Sequence, residues 1–267
     1  PVDVDFFAPD ADAKPGAPFV FFSNFKWEAR KGWDLLLEAY WSAFTKSDGV
    51  RLLLKTYLPS WEAGPPDLNL HVEAFARQLG KRRGDLAAVE LHVDESTSRG
   101  ALAEMYRGAD AFVLPTRGEG WGLPIAEAMA SGLPVIATNF SGPTAFLTDD
   151  NSYPLRVARR LPGGQAEPSV ADVAQAMKRV RENAKDARRK GERARADMAA
   201  KFSSHVVAAA ARARLEQIRR ELEADGASPP GRSSAGERDE LRRRRLASSR
   251  FLVPGRNSKK FSGRLVS

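Results

Sequence analysis

Two glutamates, Glu119 and Glu127, stand eight positions apart in residues 117–132, RGEGWGLPIAEAMASG. Glu119 falls in a glycine-rich loop after the apolar run of residues 111–114, and Glu127 falls one turn inside a helix expected to start near Leu123. Pro124 suits a first helical position, where a missing N–H costs nothing. The free N–H groups and positive dipole end of such a helix suit a phosphate, and carboxylates suit sugar hydroxyls. The pattern therefore reads as a nucleotide-sugar site. Helix-end electrostatics and ordinary loop polarity explain the two carboxylates more plainly. The glycines on either side of Trp121 favour the functional reading: Gly120 and Gly122 let the backbone approach a ligand closely or take a positive φ, and a plain surface turn does not need both.

A second group is basic. Residues 24–32, NFKWEARKG, follow an apolar run and open the next helix, so Lys26, Arg30 and Lys31 cluster at one edge with Glu119. A diphosphate carries about two negative charges and needs cationic partners as charge departs with it. Taken alone, three cations at a helix start oppose the macrodipole and read as surface solvation; beside the glutamate pair, the binding reading is the stronger. A third group, residues 139–144, is a polar turn that either presents backbone N–H groups to a ligand or merely joins strand to helix. His71, His92 and His205 are scattered and join no Asp/Glu ligand spacing, so no metal site is expected, and no cofactor beyond a donor substrate. There is neither a serine nucleophile elbow nor a phosphate-binding P-loop.

The elements that would position these groups alternate. Residues 19–25, 51–57, 89–93, 111–116 and 134–139 read as strands, nearly continuous in hydrophobicity as strands buried on both faces are. Between them, residues 31–46, 67–81 and 98–108 read as helices. Alternation of this kind implies right-handed crossovers and a doubly wound parallel α/β sheet, Rossmann-like in class, whose ligands lie beyond the carboxyl ends of the strands. Residues 168–223 are helical in character. Val170, Val173, Ala174, Met177 and Val180 form one apolar stripe; the charge-rich residues 181–195 read as a solvated face, and Phe202, Val206, Val207 and Leu215 as a later helix docking on the sheet.

The chain has 267 residues, no cysteine and a formal charge of +8. All of that excess lies in residues 226–267, where eleven basic residues face three acidic ones. The rest is electrically balanced, so a nucleic-acid partner is argued only for the tail, which is expected to be disordered because it cannot bury enough apolar surface to offset its ordering entropy. No run approaches the roughly 18 apolar residues of a membrane helix. The cysteine-free composition fits a reducing, cytoplasmic compartment. The first residue is Pro1 where a start would be Met, and the chain reads as a piece of a longer one.

Residues 106–142, YRGADAFVLPTRGEGWGLPIAEAMASGLPVIATNFSG, closely resemble the donor-site signature of retaining glycosyltransferases of family 4, which have the GT-B fold. Glu119 and Glu127 match that family's paired glutamates. FKWEARKGWDLLLEAY resembles its phosphate-binding segment, PVDVDFFAP its linker into the second Rossmann-like domain, and Lys201-Phe202-Ser203 its late helical element. The resemblance implies a linker at 1–18, a nucleotide-sugar-binding domain at 19–225 and an appended tail at 226–267. It implies that Glu119 holds donor-sugar hydroxyls, that Glu127 accepts hydrogen bonds from the ribose, and that Lys26 and Lys31 hold the diphosphate with help from Arg30 and from N–H groups near Gly122 and Leu123. Two positions depart from the family: Phe25 precedes Lys26 where relatives have Gly before Arg, and Ala145 stands where they commonly have Glu. The implied partners are a nucleotide sugar, a glycan, lipid or small-molecule acceptor, and an N-terminal GT-B domain. A non-catalytic nucleotide-sugar-binding or scaffold domain of the same fold is the alternative, and a nucleic-acid-binding protein acting through its tail is a third, weaker one.

Overall fold

The computed structural model describes residues 1–9, 18–61 and 67–224. The expected disordered tail lies outside the described residues. The chain divides into two compact units, Pro1–Ala210 and Ala211–Ser267.

The first unit is built on a six-stranded, wholly parallel sheet. Its strands are β1 (Phe19–Lys26), β2 (Val50–Tyr57), β3 (Ala88–Val93), β4 (Ala111–Leu114), β5 (Val135–Thr138) and β6 (Tyr153–Leu155), in spatial order β3-β2-β1-β4-β5-β6. The chain winds outward from β1 to β3 and then returns to the other side of β1. The sheet order therefore reverses between β1 and β4, where Phe21 and Phe22 stand opposite Ala111 and Phe112. The central strands are sealed on both faces: Phe21, Phe22, Leu52, Leu54, Phe112 and Ile136 are all fully buried. Each such side chain contributes about 1.5–3 kcal/mol by leaving water. The expectation of continuous burial fails at β3, where burial alternates and Val93 is exposed. It is an edge strand, with one face left to solvent.

The helices start where their capping residues dictate. Asp67 accepts from the N–H groups of Asn69 and Leu70 to open α2 (Leu68–Gln78), and Ser98 accepts from Ala101 to open α3 (Arg99–Arg107). α1 (Trp33–Ala43) and α4 (Leu123–Ala130) follow glycines instead. The helical region resolves into α5 (Val170–Glu182), α6 (Ala184–Phe202) and α7 (Ser204–Ala224). The stripe Val173, Met177 and Val180 is buried as its spacing requires.

Two helical expectations are corrected. Within residues 181–195, Lys190 is buried and donates to the carbonyls of Asp149 and Ser152, while Arg195 donates to the carbonyls of Val4 and Ala130. These two long side chains tie loops to α6 rather than face solvent. α7 runs from the first unit into the second. It buries none of its residues, and Leu215 is exposed. Its alanines, arginines and glutamates favour helix without tertiary support. Within the second unit, Arg214 and Glu221 pair across its surface.

The first nine residues pack into the first unit. Val2, Val4 and Phe7 are buried, and Val2 bridges Ser203. Arg107 donates to the carbonyls of Phe6 and Ala8, and Arg99 pairs with Asp3. A short antiparallel hairpin, β7 (Arg159–Leu161) and β8 (Gln165–Glu167), had no signal in the apolar pattern.

α4 and α6 meet at Gly191, where a Cβ would lie well inside contact distance of the Gly132 carbonyl oxygen. Glycine to alanine in an exposed helix stabilises by roughly 0.5–1 kcal/mol. Here the sign reverses: Gly191→Ala is expected to destabilise by about 1–3 kcal/mol through overpacking against backbone, measured as a lower denaturant midpoint with unchanged slope.

Candidate functional site

The reversal of strand order sets the loop after β1 beside the loop after β4. The first loop makes a tight turn, Ala29–Lys31, and reaches α1 through Gly32, whose φ is 71°. The second runs from Pro115 to Gly122. They are stitched together by backbone: the Arg117 N–H donates to the Arg30 carbonyl at 2.7 Å.

Lys31 and Glu119 meet in this seam. The ammonium contacts both carboxylate oxygens, at 2.7 and 2.8 Å, and both side chains are largely buried. Thr116 donates its hydroxyl to the same carboxylate at 2.9 Å. The Arg30 guanidinium lies 3.7 Å from Glu119 and donates to the Gly118 carbonyl and to Glu28. Two of the three ammonium protons of Lys31 are thus used by Glu119, which leaves one for a ligand. Arg30 remains partly exposed at the rim.

The backbone of Glu119 is braced from a third element. Its N–H donates to the Ser141 hydroxyl, and its carbonyl accepts from that hydroxyl and from the Gly142 N–H. Ser141 itself has φ 56° and ψ −135°. Such backbone costs of order 1–3 kcal/mol and persists where surrounding contacts over-determine it. The turn at 139–144 therefore holds Glu119 in place. Ala145 closes the short helical turn Gly142–Ala145.

Beyond Glu119 the chain turns through Gly122, at φ 90°, into α4, whose N-terminus carries no side-chain cap. Gly120 has no positive φ, and a Cβ there would meet nothing within 4 Å. Leu123 is half exposed. One turn on, the half-buried Glu127 receives the Tyr106 hydroxyl at 2.9 Å. Burial pushes the Glu127 carboxyl above its ordinary range, opposed by that hydrogen bond and by the charge of Arg99. Burial and the Glu127 charge push the Tyr106 phenol well up.

Of the basic and aromatic candidates, the structure brings Lys31 and Arg30 to Glu119 and leaves Lys26 apart. The Lys26 ammonium lies over the rings of Trp61 and Tyr57, at 4.6 and 5.8 Å from their centroids. Trp121 points its ring into packing with Phe146 and Phe202, at centroid distances of 5.1 and 5.3 Å. Among the described residues no cluster of His, Asp and Glu is placed to hold a metal ion, and no helix is long and apolar enough to cross a membrane.

Arg117 is the residue whose part the sequence pattern did not disclose. Its guanidinium grips Asp34 with two nitrogens, at 2.8 and 2.6 Å, and Glu167 with the third, at 2.8 Å. It also donates to the Ala29 carbonyl, while its own carbonyl accepts from the Ala166 N–H. One side chain thus fastens the two site loops, the start of α1 and the β7–β8 hairpin. The Asp34 hydrogen bond holds the guanidinium above its ordinary range. At Glu167 burial pushes the carboxyl up, but Arg159 and Arg117 outweigh it and hold it below the ordinary range. Asp34 and Glu167 lie 83 and 50 positions from Arg117, so no local spacing could reveal the clamp.

The profile of the family described as Glycosyl transferases group 1 matches residues 17–183. A D-inositol 3-phosphate glycosyltransferase of Xylanimonas cellulosilytica is 31% identical over 163 residues, covering 56% of this chain and 36% of that protein. A lipopolysaccharide core biosynthesis mannosyltransferase of Rhizobium meliloti is 44% identical over 68 residues, covering 25% of this chain and 18% of that one. The matches thus span about a third or less of these relatives' lengths. Among solved structures, the C-terminal domain of a glycosyl transferase group 1 family protein from Francisella tularensis superposes with a TM-score of 0.60 at 21% identity, over 76% of this chain and 100% of that one. The Anabaena protein Alr3699/HepE, solved in complex with UDP and glucose, gives 0.61 at 17% identity, over 84% of this chain and 55% of that one.

Removing the Arg117 side chain leaves two partly buried carboxylates without their shared cation. Arg117→Ala is expected to cost about 3 kcal/mol, read by urea unfolding. The contribution of Glu167 is present above its unfolded pKa of about 4.3 and is lost as pH falls through its depressed folded value. The acid-unfolding midpoint of Arg117→Ala is therefore expected to move upward.

Proposed function

The chain belongs to the group 1 glycosyl transferases, and from that premise we propose that it is the donor-binding half of a retaining enzyme that takes a nucleoside-diphosphate sugar. The observation that carries this reading is the meeting of Lys31 with Glu119 directly before the uncapped start of α4, with Glu127 one turn further in. An ammonium with a proton to spare, the N–H groups of a helix start and a guanidinium at the rim form an anion site. Carboxylates on either side of it supply acceptors for hydroxyls.

In this reading the diphosphate lies against Lys31 and the α4 N-terminus, Glu119 faces the donor sugar and Glu127 the ribose. Cleavage of the sugar–phosphate bond gives an oxocarbenium-like sugar and a departing nucleoside diphosphate. Lys31 and the helix end stabilise the growing phosphate charge, where preorganised cations and N–H groups act most strongly. Lys31, Arg30 and the N–H groups at the start of α4 face the diphosphate in this reading, and no metal is invoked. Lys26 joins them only by leaving the rings of Trp61 and Tyr57. The acceptor attacks from the leaving group's own face, which retains configuration. Acceptor contacts fall to an N-terminal domain of the same enzyme.

The full chain is expected to bind at least one of UDP, GDP and ADP by calorimetry. Lys31→Ala and Glu127→Ala should each weaken that binding by about tenfold or more, the worth of one hydrogen bond to a charged group. No heat with any of the three at millimolar concentration would overturn the reading.

A further inference from the structure

Tyr106 is fully buried at the end of α3, and its ring is held on three sides. Phe7, Phe22 and Phe112 pack around it at centroid distances of 5.6, 5.0 and 5.9 Å. A phenol walled in by rings would serve as well with no oxygen at all, and a buried hydroxyl without partners is costly. This one is fully engaged. It lies 2.9 Å from Glu127 Oε2 and 3.2 Å from the Pro124 carbonyl, and it accepts from Asn24 Nδ2 at 3.4 Å.

A phenol has one proton to give. The carboxylate is the nearer acceptor and carries charge, and both favour it over the Pro124 peptide. The Asn24 amide arrives at the same oxygen as a donor, so it fixes the direction in which the phenol can donate. β1, through Asn24, and α3, through Tyr106, thus set the orientation of a carboxylate on α4. Glu127 sits in surroundings that favour its protonated form, and the groups facing it are Tyr106 and, at longer range, Arg99, which is itself paired with Asp3.

We propose that Tyr106 is the positioning residue of this site: its hydroxyl aims Glu127 and keeps it in the acceptor form, leaving Oε1 to receive the hydroxyls of a ribose. A carboxylate has about four lone-pair directions, so one bond from Tyr106 at Oε2 leaves room for two hydroxyls. The ribose part rests on the donor-binding reading above; the hold on Glu127 does not. Phe7 meets the same ring edge-on, so the N-terminal segment contributes to the wall that fixes the phenol.

The test uses the full chain and Tyr106→Phe, which keeps the ring and its packing and removes only the oxygen. Carbon NMR of the Glu127 carboxyl should show its titration midpoint at higher pH in Tyr106→Phe than in the natural chain; an unchanged midpoint overturns the proposal. The second measurement compares UDP, GDP and ADP with their 2′-deoxy counterparts, since this ratio isolates the ribose contact from phosphate titration. The natural chain should prefer the ribose form by about tenfold, and Glu127→Gln should lose most of that preference at every pH. Tyr106→Phe should lose part of it, and recover more of it as the pH is raised and the carboxyl ionises. Natural preference in Tyr106→Phe throughout the pH range, with Glu127→Gln defective, reduces Tyr106 to packing and overturns the proposal. Failure of the natural chain to bind any of the nucleotides, with the NMR midpoint still displaced, overturns the donor reading and the ribose role with it, and leaves the hydrogen bond alone.

Discussion

The arrangement depends on the seam between β1 and β4. A parallel sheet that winds outward in one direction and then in the other must leave two neighbouring strands whose following chains diverge to opposite faces. At that seam the loops after the two strands have no crossover helix between them, and they fill the crevice with each other. Lys31 and Glu119, 88 positions apart in sequence, become partners for this reason. The same geometry lets Arg117 reach Asp34 at the start of α1, and lets the Arg117 N–H close onto the Arg30 carbonyl.

Such a seam is expensive to populate with charge. Removing a carboxylate and an ammonium from water costs several kcal/mol each, and their attraction offsets this only where geometry is good and further hydrogen bonds complete the shell. Here the shell is dense around Glu119, with two contacts from Lys31, one from Thr116 and a brace from Ser141 on its backbone. Around Glu127 it is sparse, with one phenol and a helix that supplies no cation in its first turn. The two glutamates that the sequence presents as a pair therefore differ. One is neutralised and rigid, and the other is held above its ordinary range by burial.

Much of this was legible in the amino-acid order. Apolar runs placed five of the six strands, the edge strand β3 among them, Asp67 and Ser98 marked helix starts, and the glycine-rich loop marked the carboxyl edge where Glu119 stands. What could not be read was long-range. Arg117 sat inside the quoted motif, but its partners are set by the strand order, which periodicity does not encode. The β7–β8 hairpin is three residues to a strand, too short for alternation to register. Trp121 and Lys26 were drawn toward the site by adjacency in sequence. The structure turns one toward Phe146 and Phe202, and lays the other over Trp61 and Tyr57, because apolar and cation–π contacts there compete with exposure to water. α7 shows the opposite failure, where apolar residues at helical spacing form a helix without burying it.

The internal pairing of Lys31 also bears on kinetics. An unpaired cation in a cleft projects a field that attracts anions out to roughly the Debye length of about 8 Å and raises encounter rates. Lys31 and Glu119 together present nearly no net charge at a distance, and the part of the chain that carries them is balanced overall. An anionic ligand is then recognised on contact and not drawn in by long-range attraction. Its arrival rate would change little with ionic strength, while its residence would depend on the short-range bonds it makes to the remaining ammonium proton and the helix N–H groups.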